Sequence, residues 1–143
     1  MGCSTKIVPY HARWRWAFIE ERDRIAVALG PLALRIEHHG STSVVGLAAK
    51  PVIDIQISVG TLHPLDRYIT PLAVLGYVHV PHQDDVFCPY FHTLGFGDEA
   101  RRYDIRKQFH SRMQILKKRG VDIRNNGFST PCIALHTRFS RSY

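Results

Sequence analysis

Cysteine is scarce in this sequence, and the few that occur lie far apart. Cys3, Cys88 and Cys132 form no Cys-x-x-Cys pair, and their number is odd. Structural zinc sites and disulfide-stabilised secreted domains both depend on closely organised sets of cysteines. The cysteine pattern therefore argues against both classes, and we expect three plain thiols.

Long hydrophobic runs are missing as well. No stretch reaches the roughly 18 apolar residues that a membrane-spanning helix needs. Charged residues interrupt the N-terminal part of the chain throughout, which is unlike a secretory leader. We therefore expect a cytoplasmic protein that does not bind membranes. Its 143 residues, 45% of them hydrophobic, are enough for one compact core.

Acidic residues are few in the C-terminal part of the chain. Residues 1–100 hold 8 Lys or Arg against 10 Asp or Glu, a net charge of −2, whereas residues 101–143 hold 11 against 2, a net charge of +9. Such a basic tail can bind nucleic acid through salt-dependent phosphate contacts. It can equally be a solvated surface with basic residues at a helix end. Both interpretations stay open.

Hydrophobic periodicity predicts an α/β (α+β) domain with a small mixed sheet flanked by helices. The predicted elements are a helix over 13–29, a strand over 33–39, a short helix over 43–49, a strand over 51–59, a helix over 65–75, a strand over 77–80, a strand over 101–106 and a helix over 107–118. Residues 120–143 show no periodicity and are expected to be irregular. We divide the chain into a domain over 1–106 and a basic C-terminal segment over 107–143.

The strand "PVIDIQISV" (51–59) is the clearest of these elements, because β-branched residues alternate with polar ones. This alternation places Asp54, Gln56 and Ser58 on one face of the strand. Asp54 follows a Gly-Ser-Thr-Ser turn, Gly40 to Ser43, which separates it from the preceding strand.

A glycine turn of this kind between a strand and a helix exposes backbone amides that suit a phosphate group. A carboxylate on the next strand, here Asp54, can hold Mg²⁺ against the same phosphates, and Lys50 can reach them as a point charge. The structural alternative is a loop in which Thr42 and Ser43 cap a helix while Asp54 is merely solvated. Local chemistry alone leaves both interpretations open.

The run "IEHHGSTSVVGLAAKPVIDIQISV", together with the upstream "VPYHARWRWAFIEERDRIAVALG", resembles the GrpB family, whose fold belongs to the nucleotidyltransferase superfamily. The resemblance covers about residues 7–82. The superfamily pattern is Gly-Gly or Gly-Ser, about a dozen residues, a carboxylate, an apolar residue and a second carboxylate. Gly40, Ser41, Asp54 and Ile55 match it, whereas Gln56 stands where the second carboxylate belongs.

The resemblance implies that the Gly40 turn approaches a nucleoside triphosphate and that Asp54 is a catalytic Mg²⁺ ligand. Gln56 occupies a catalytic position but brings no negative charge, which weakens a two-metal site. Asp104, in "RYDIR", falls near the superfamily's third carboxylate strand, with a solvated aspartate as the alternative. His38 and His39 flank the turn on opposite faces of their strand, so one is expected to be buried and the other to face a substrate.

Three functions follow as hypotheses. The first is magnesium-dependent nucleotidyl transfer from a nucleoside triphosphate to an unknown acceptor. The second is a non-catalytic member of the fold that binds a nucleotide or a partner, and the third is a nucleic-acid-binding module that uses the basic tail. Some relatives are fused to dephospho-CoA kinase, which implies a link to coenzyme A metabolism.

The similarity fades beyond about residue 86, where the family continues with a His-rich strand resembling Thr-His-His-Leu-His-Val and a helix carrying Phe-Arg-Asp-Tyr-Leu-Arg. Neither motif is present here. Two explanations compete: a lineage-specific basic extension, and a C-terminal region whose coding frame has drifted from that of the family.

Overall fold

The computed structural model describes residues 6–81, 85, 88–93 and 131–138. Its elements are the helices α1 (Arg13–Leu29) and α2 (Asp66–Val74) and the strands β1 (Ala33–His39), β2 (Val52–Val59), β3 (Tyr77–Val80), β4 (Tyr90–Thr93) and β5 (Cys132–Arg138). Short 3₁₀ turns cover Gly30–Leu32 and Ser41–Ser43. No helix in these ranges is long and apolar enough to cross a membrane.

The strands form one mixed sheet in the order β1-β2-β5-β4-β3. Neighbouring strands are antiparallel except β4 and β5, which run parallel. Parallel neighbours cannot be joined by a tight hairpin, so a long connection separates β4 from β5 in the chain. The predicted α+β class with a small mixed sheet is confirmed.

Alternation along the strands gives the sheet one apolar and one polar face. In β2, Ile53, Ile55 and Ile57 are buried while Asp54 and Gln56 between them are half-exposed. The apolar face joins buried side chains of both helices in a single core that includes Trp14, Ile25, Tyr68, Leu72, Phe91, Ile133 and Leu135. The opposite face of the sheet carries the polar side chains.

The spacing of its apolar residues explains why α1 packs on the core. Trp14, Ile25 and Leu29 are its buried residues, and Trp14 packs edge-on against Tyr10 with ring centroids 5.6 Å apart. Gly30 ends the helix with a positive φ of 55°, a conformation that costs glycine little. The structure confirms the predicted bounds of α1 (13–29) and β1 (33–39). It agrees to within one residue at each end with those predicted for β2 (51–59) and α2 (65–75).

Two local predictions are wrong. Instead of a helix over 43–49, the chain makes the 3₁₀ turn Ser41–Ser43 and then runs to Ala49, which bridges Val8. The β-branched Val44 and Val45 disfavour a helix there, and Gly46 takes a φ of 83°.

The second error concerns 120–143, because Cys132–Arg138 is a strand in the middle of the sheet, between β2 and β4. Its stability comes from pairing with distant strands rather than from a local signal. The predicted strand 101–106 and helix 107–118 lie outside the described residues. The division of the chain at residue 106 stays a prediction, although β5 belongs to the same sheet as β1 to β4.

Leu72 offers a direct test of the packing of α2 on the sheet. It is fully buried, whereas Leu34 on the edge strand β1 is 58% exposed. We expect Leu72→Ala to lower the free energy of unfolding by about 2–5 kcal/mol, through lost apolar burial and the cavity that remains. The matched Leu34→Ala should cost less than about 1 kcal/mol. Urea denaturation measures both, and equal losses would contradict the placement of α2.

Candidate functional site

Strand pairing collects the polar side chains of four strands on one face of the sheet. Asp54 of β2 lies opposite His39 of β1 and His136 of β5, and His136 in turn lies opposite His92 of β4. Two residues farther along β2 and on the same face, Gln56 lies opposite Glu37 and Ala134. We call this surface the polar face; its members are Glu37, His39, Asp54, Gln56, Tyr90, His92 and His136.

The Gly40 turn (Gly40 to Ser43) ends directly against Asp54. Gly40 has φ 75° and ψ −172°, a region of backbone space that is essentially restricted to glycine. A Cβ atom at this position would overlap Oδ2 of Asp54. The backbone of the turn and the Asp54 carboxylate are therefore in van der Waals contact.

A chain of polar contacts leads from Asp54 across the sheet. His136 Nε2 pairs with Asp54 Oδ1, and the hydroxyl of Tyr90 lies 3.1 Å from His136 Nδ1. Tyr90 and His136 are each only 7% exposed, which shields this chain from solvent. The geometry fixes the imidazole between a carboxylate and a phenol, an arrangement that holds its orientation and can pass a proton along the line.

His136 and Tyr90 were missed by sequence reasoning. The signal was present in "CIALHTR", where Ile133 and Leu135 alternate with polar or small residues. This alternation indicates a strand but does not place His136 beside Asp54, because only the pairing with β2 shows which face His136 occupies.

The position of the second carboxylate is electrically neutral in this protein. Gln56 faces Glu37 across β1, and Glu37 is already paired with Arg35 at 2.5 Å and with His39 at 3.3 Å. Among the described residues, Asp54 is therefore the one carboxylate of the polar face that contacts the Gly40 turn.

The hydroxyl groups of Thr42 and Ser43 stabilise the turn itself through hydrogen bonds. Thr42 is buried, donates a hydrogen bond to the carbonyl of Val52 at 2.9 Å and lies 3.0 Å from His38 Nε2. Ser43 donates to the carbonyl of Gly40 at 2.6 Å. Ser41 remains exposed and Lys50 half-exposed at the same end of the sheet. Of the predicted phosphate contacts, Ser41 and Lys50 are therefore the ones open to a ligand.

His38 lies on the opposite side of β1 from His39, as expected. Its ring stacks on Phe18 with centroids 4.8 Å apart. Burial, and then the charge of neighbouring His39, lower the pKa of His38 from 6.5 to about 4. His38 is therefore neutral at neutral pH and acts as a packing residue that anchors Thr42.

Asp54 is the residue that would hold a Mg²⁺ ion on this face, and both of its oxygens lie against other groups. Mg²⁺ prefers an octahedron of oxygens with one or two carboxylates. His136 already engages Oδ1 of Asp54, while Oδ2 lies against Gly40. Within the described ranges, no three His, Cys, Asp or Glu side chains form a group that could hold a metal ion. Asp104, the remaining predicted carboxylate, lies outside the described residues, as does most of the basic tail.

Comparison with known proteins decides the family. The family described as "GrpB protein" matches residues 4–136, which is nearly the whole chain. The chain belongs to the GrpB family. This match extends beyond residues 7–82, the part of the chain on which the resemblance was based.

Relatives of this GrpB chain fall into two groups of names. A UPF0157 protein of Halalkalibacterium halodurans is 40% identical over 86 residues, which cover 60% of this chain and 44% of the relative. A dephospho-CoA kinase of Mycolicibacterium paratuberculosis is 34% identical over 142 residues, covering 91% of this chain and 33% of the kinase. The chain thus spans less than half the length of these curated relatives.

A solved structure gives the same family name. The crystal structure of conserved protein GrpB from Enterococcus faecalis is 34% identical in sequence to this GrpB chain and aligns with a TM-score of 0.49. The alignment covers 52% of this chain and 45% of the other.

Gly40→Ala tests the contact between the turn and Asp54. Alanine at this position meets both an unfavourable backbone conformation and the Asp54 carboxylate, so we expect a loss of stability of about 3 kcal/mol or more. Gly76→Ala is the matched control, since Gly76 has φ 97° with open space around it. That change should cost about 1–2 kcal/mol. Equal losses in urea denaturation would show that Asp54 does not pack on Gly40.

His38 predicts a specific dependence of stability on pH. Because the pKa of His38 is about 4 in the folded protein and 6.5 in the reference state, the unfolded chain binds more protons between these values. The contribution of neutral His38 to stability is complete above pH 6.5 and is lost as the pH falls toward 4. NMR titration of the His38 ring measures this pKa directly, and His38→Gln identifies its signal. A ring that titrates near 6.5 would contradict the burial of His38.

Proposed function

We propose that this GrpB protein binds a nucleoside triphosphate at the Gly40 turn and does not catalyse two-metal nucleotidyl transfer. The observation that carries the proposal is the contact of Asp54 with His136, next to a neutral Gln56 and beside a turn whose Ser41 is exposed. It corresponds to the nucleotide-binding, non-catalytic hypothesis drawn from the sequence.

The case for a phosphate ligand rests on shape and charge. The Asp54 carboxylate takes the space where a Gly40 side chain would lie, so a phosphate group would meet the turn on the side of the exposed Ser41. The exposed Ser41 hydroxyl can donate to a phosphate oxygen, and the Lys50 ammonium supplies a mobile positive charge at the same end of the sheet. The hydrogen bond from Thr42 to the carbonyl of Val52 holds the turn in place, so the turn loses little conformational entropy when a ligand binds.

The case against two-metal transfer rests on electrostatics. Phosphoryl and nucleotidyl transfer need cations that neutralise the charge developing on the transferred group. Here one oxygen of Asp54 is engaged by His136, which leaves the carboxylate less available to a metal ion.

Isothermal titration with ATP, CTP, GTP and UTP, with and without Mg²⁺, tests this function. Dephospho-CoA joins the panel because relatives with that kinase name share the matched region. We expect binding of at least one nucleotide, changed less than about tenfold by Mg²⁺, which corresponds to 1.4 kcal/mol. Lys50→Met should weaken binding about tenfold, whereas Arg67→Met, at an exposed arginine on α2, should leave it unchanged.

Asp54→Asn separates the two main hypotheses. If Asp54 is held by His136 and not by Mg²⁺, Asp54→Asn should leave the dissociation constant for the nucleotide within about threefold of the original value. The control is Asp23→Asn on the exposed surface of α1. Strong Mg²⁺ dependence that Asp54→Asn abolishes would instead support magnesium-dependent transfer. No nucleotide binding by the folded protein would overturn the proposal and favour a partner-binding role.

A further inference from the structure

Two of the three cysteines meet next to the polar face. The thiol of Cys132, at the start of β5, donates a hydrogen bond to the sulfur of Cys88 with the two sulfur atoms 3.1 Å apart. Cys88 is half-buried and Cys132 is 7% exposed, and the two sulfurs are not joined by a disulfide. Because 43 residues separate them along the chain, local sequence does not pair them.

Their backbone positions suit a covalent link. Tyr90 of β4 lies opposite Ala134 of the parallel strand β5. Cys132 precedes Ala134 by two residues within β5, and Cys88 precedes Tyr90 by two residues in the segment that leads into β4. Neighbouring strands are about 4.8 Å apart, within the range of roughly 4.4–6.8 Å between Cα atoms across disulfides. The amide of Ala134 also donates to the carbonyl of Pro89 at 2.9 Å, which holds the two segments side by side.

We propose that Cys88 and Cys132 are a redox-active pair that closes to an intramolecular disulfide when a peroxide oxidises the protein. The inference does not depend on nucleotide binding. It changes the expected role of these residues from plain thiols to a modification site.

The reaction balances in two steps. The Cys88 sulfur, the more accessible of the pair, attacks one oxygen of hydrogen peroxide, which gives Cys88 sulfenic acid and water. The Cys132 sulfur then attacks the Cys88 sulfur, expels a second water and forms the disulfide. Two electrons pass from the thiols to the peroxide, and a dithiol reductant reverses the change by thiol exchange.

The surroundings make the first step slow at neutral pH. The hydrogen bond with Cys132, followed by burial, raises the pKa of the Cys88 thiol. Because the thiolate is the reacting form, oxidation should accelerate as the pH rises. The pair therefore responds to sustained oxidation rather than to brief exposure.

The bond would act on the candidate site through β4. Tyr90 follows Cys88 by two residues, and its hydroxyl reaches His136, which is paired with Asp54. A disulfide at the start of both strands constrains the segment that positions Tyr90. It also closes a long loop, which restricts the unfolded chain and stabilises the oxidised protein.

The experiment uses Cys3→Ser protein, so that Cys88 and Cys132 are the remaining thiols. The reduced protein is treated with hydrogen peroxide at pH 7 and pH 9. We expect thiol titration to fall from two groups to none per chain, faster at pH 9, with a peptide map that links Cys88 to Cys132 within one chain. The melting temperature should rise by about 5 °C or more and return after treatment with dithiothreitol.

Cys88→Ser and Cys132→Ser, each in the Cys3→Ser background, are the controls. Each should form no intramolecular bond and show no rise in melting temperature with peroxide. The proposal is overturned if both thiols survive, if they oxidise separately to sulfinic acids, or if links form only between chains.

Discussion

The antiparallel pairing of β1 with β2 around Gly40 is the constraint on which the site depends. The chain leaves β1 at His39, turns through Gly40 and returns along β2 so that Asp54 lies opposite His39. The turn can pass this closely only because Gly40 has no side chain where the Asp54 carboxylate lies. A shift by one residue would place Asp54 in the core and an isoleucine on the polar face. The close contact and the strand register therefore support each other.

The same register determines the chemistry of the polar face. Because β5 pairs with the other edge of β2, His136 is brought beside Asp54 and Ala134 beside Gln56. The core on the opposite face fixes these positions, since Ile53, Ile55 and Leu135 have to remain buried together. Hydrophobic packing thus selects which polar groups meet, although those groups contribute little to it.

Much of the first 80 residues could be predicted from local sequence, because helix α1 and strand β2 carry strong periodic patterns of their own. The contact between Gly40 and Asp54 was also predictable, since it joins a glycine turn to the next strand. β5 could not be predicted, because a short strand such as Cys132–Arg138 gains its stability from long-range pairing. For the same reason His136 and Tyr90 were absent from the predicted site. The prediction of a short helix after Ser43 was wrong, because a capping residue marks where a helix can begin but does not ensure that one forms.

Gln56 and His136 both bear on what the surface beside the Gly40 turn can hold. Gln56 brings a neutral amide to the face that carries Asp54, and His136 engages one of the two oxygens of Asp54. A surface with fewer open carboxylate oxygens attracts divalent cations less. On the proposed nucleotide-binding function, this surface is therefore better matched to holding a triphosphate than to cleaving one.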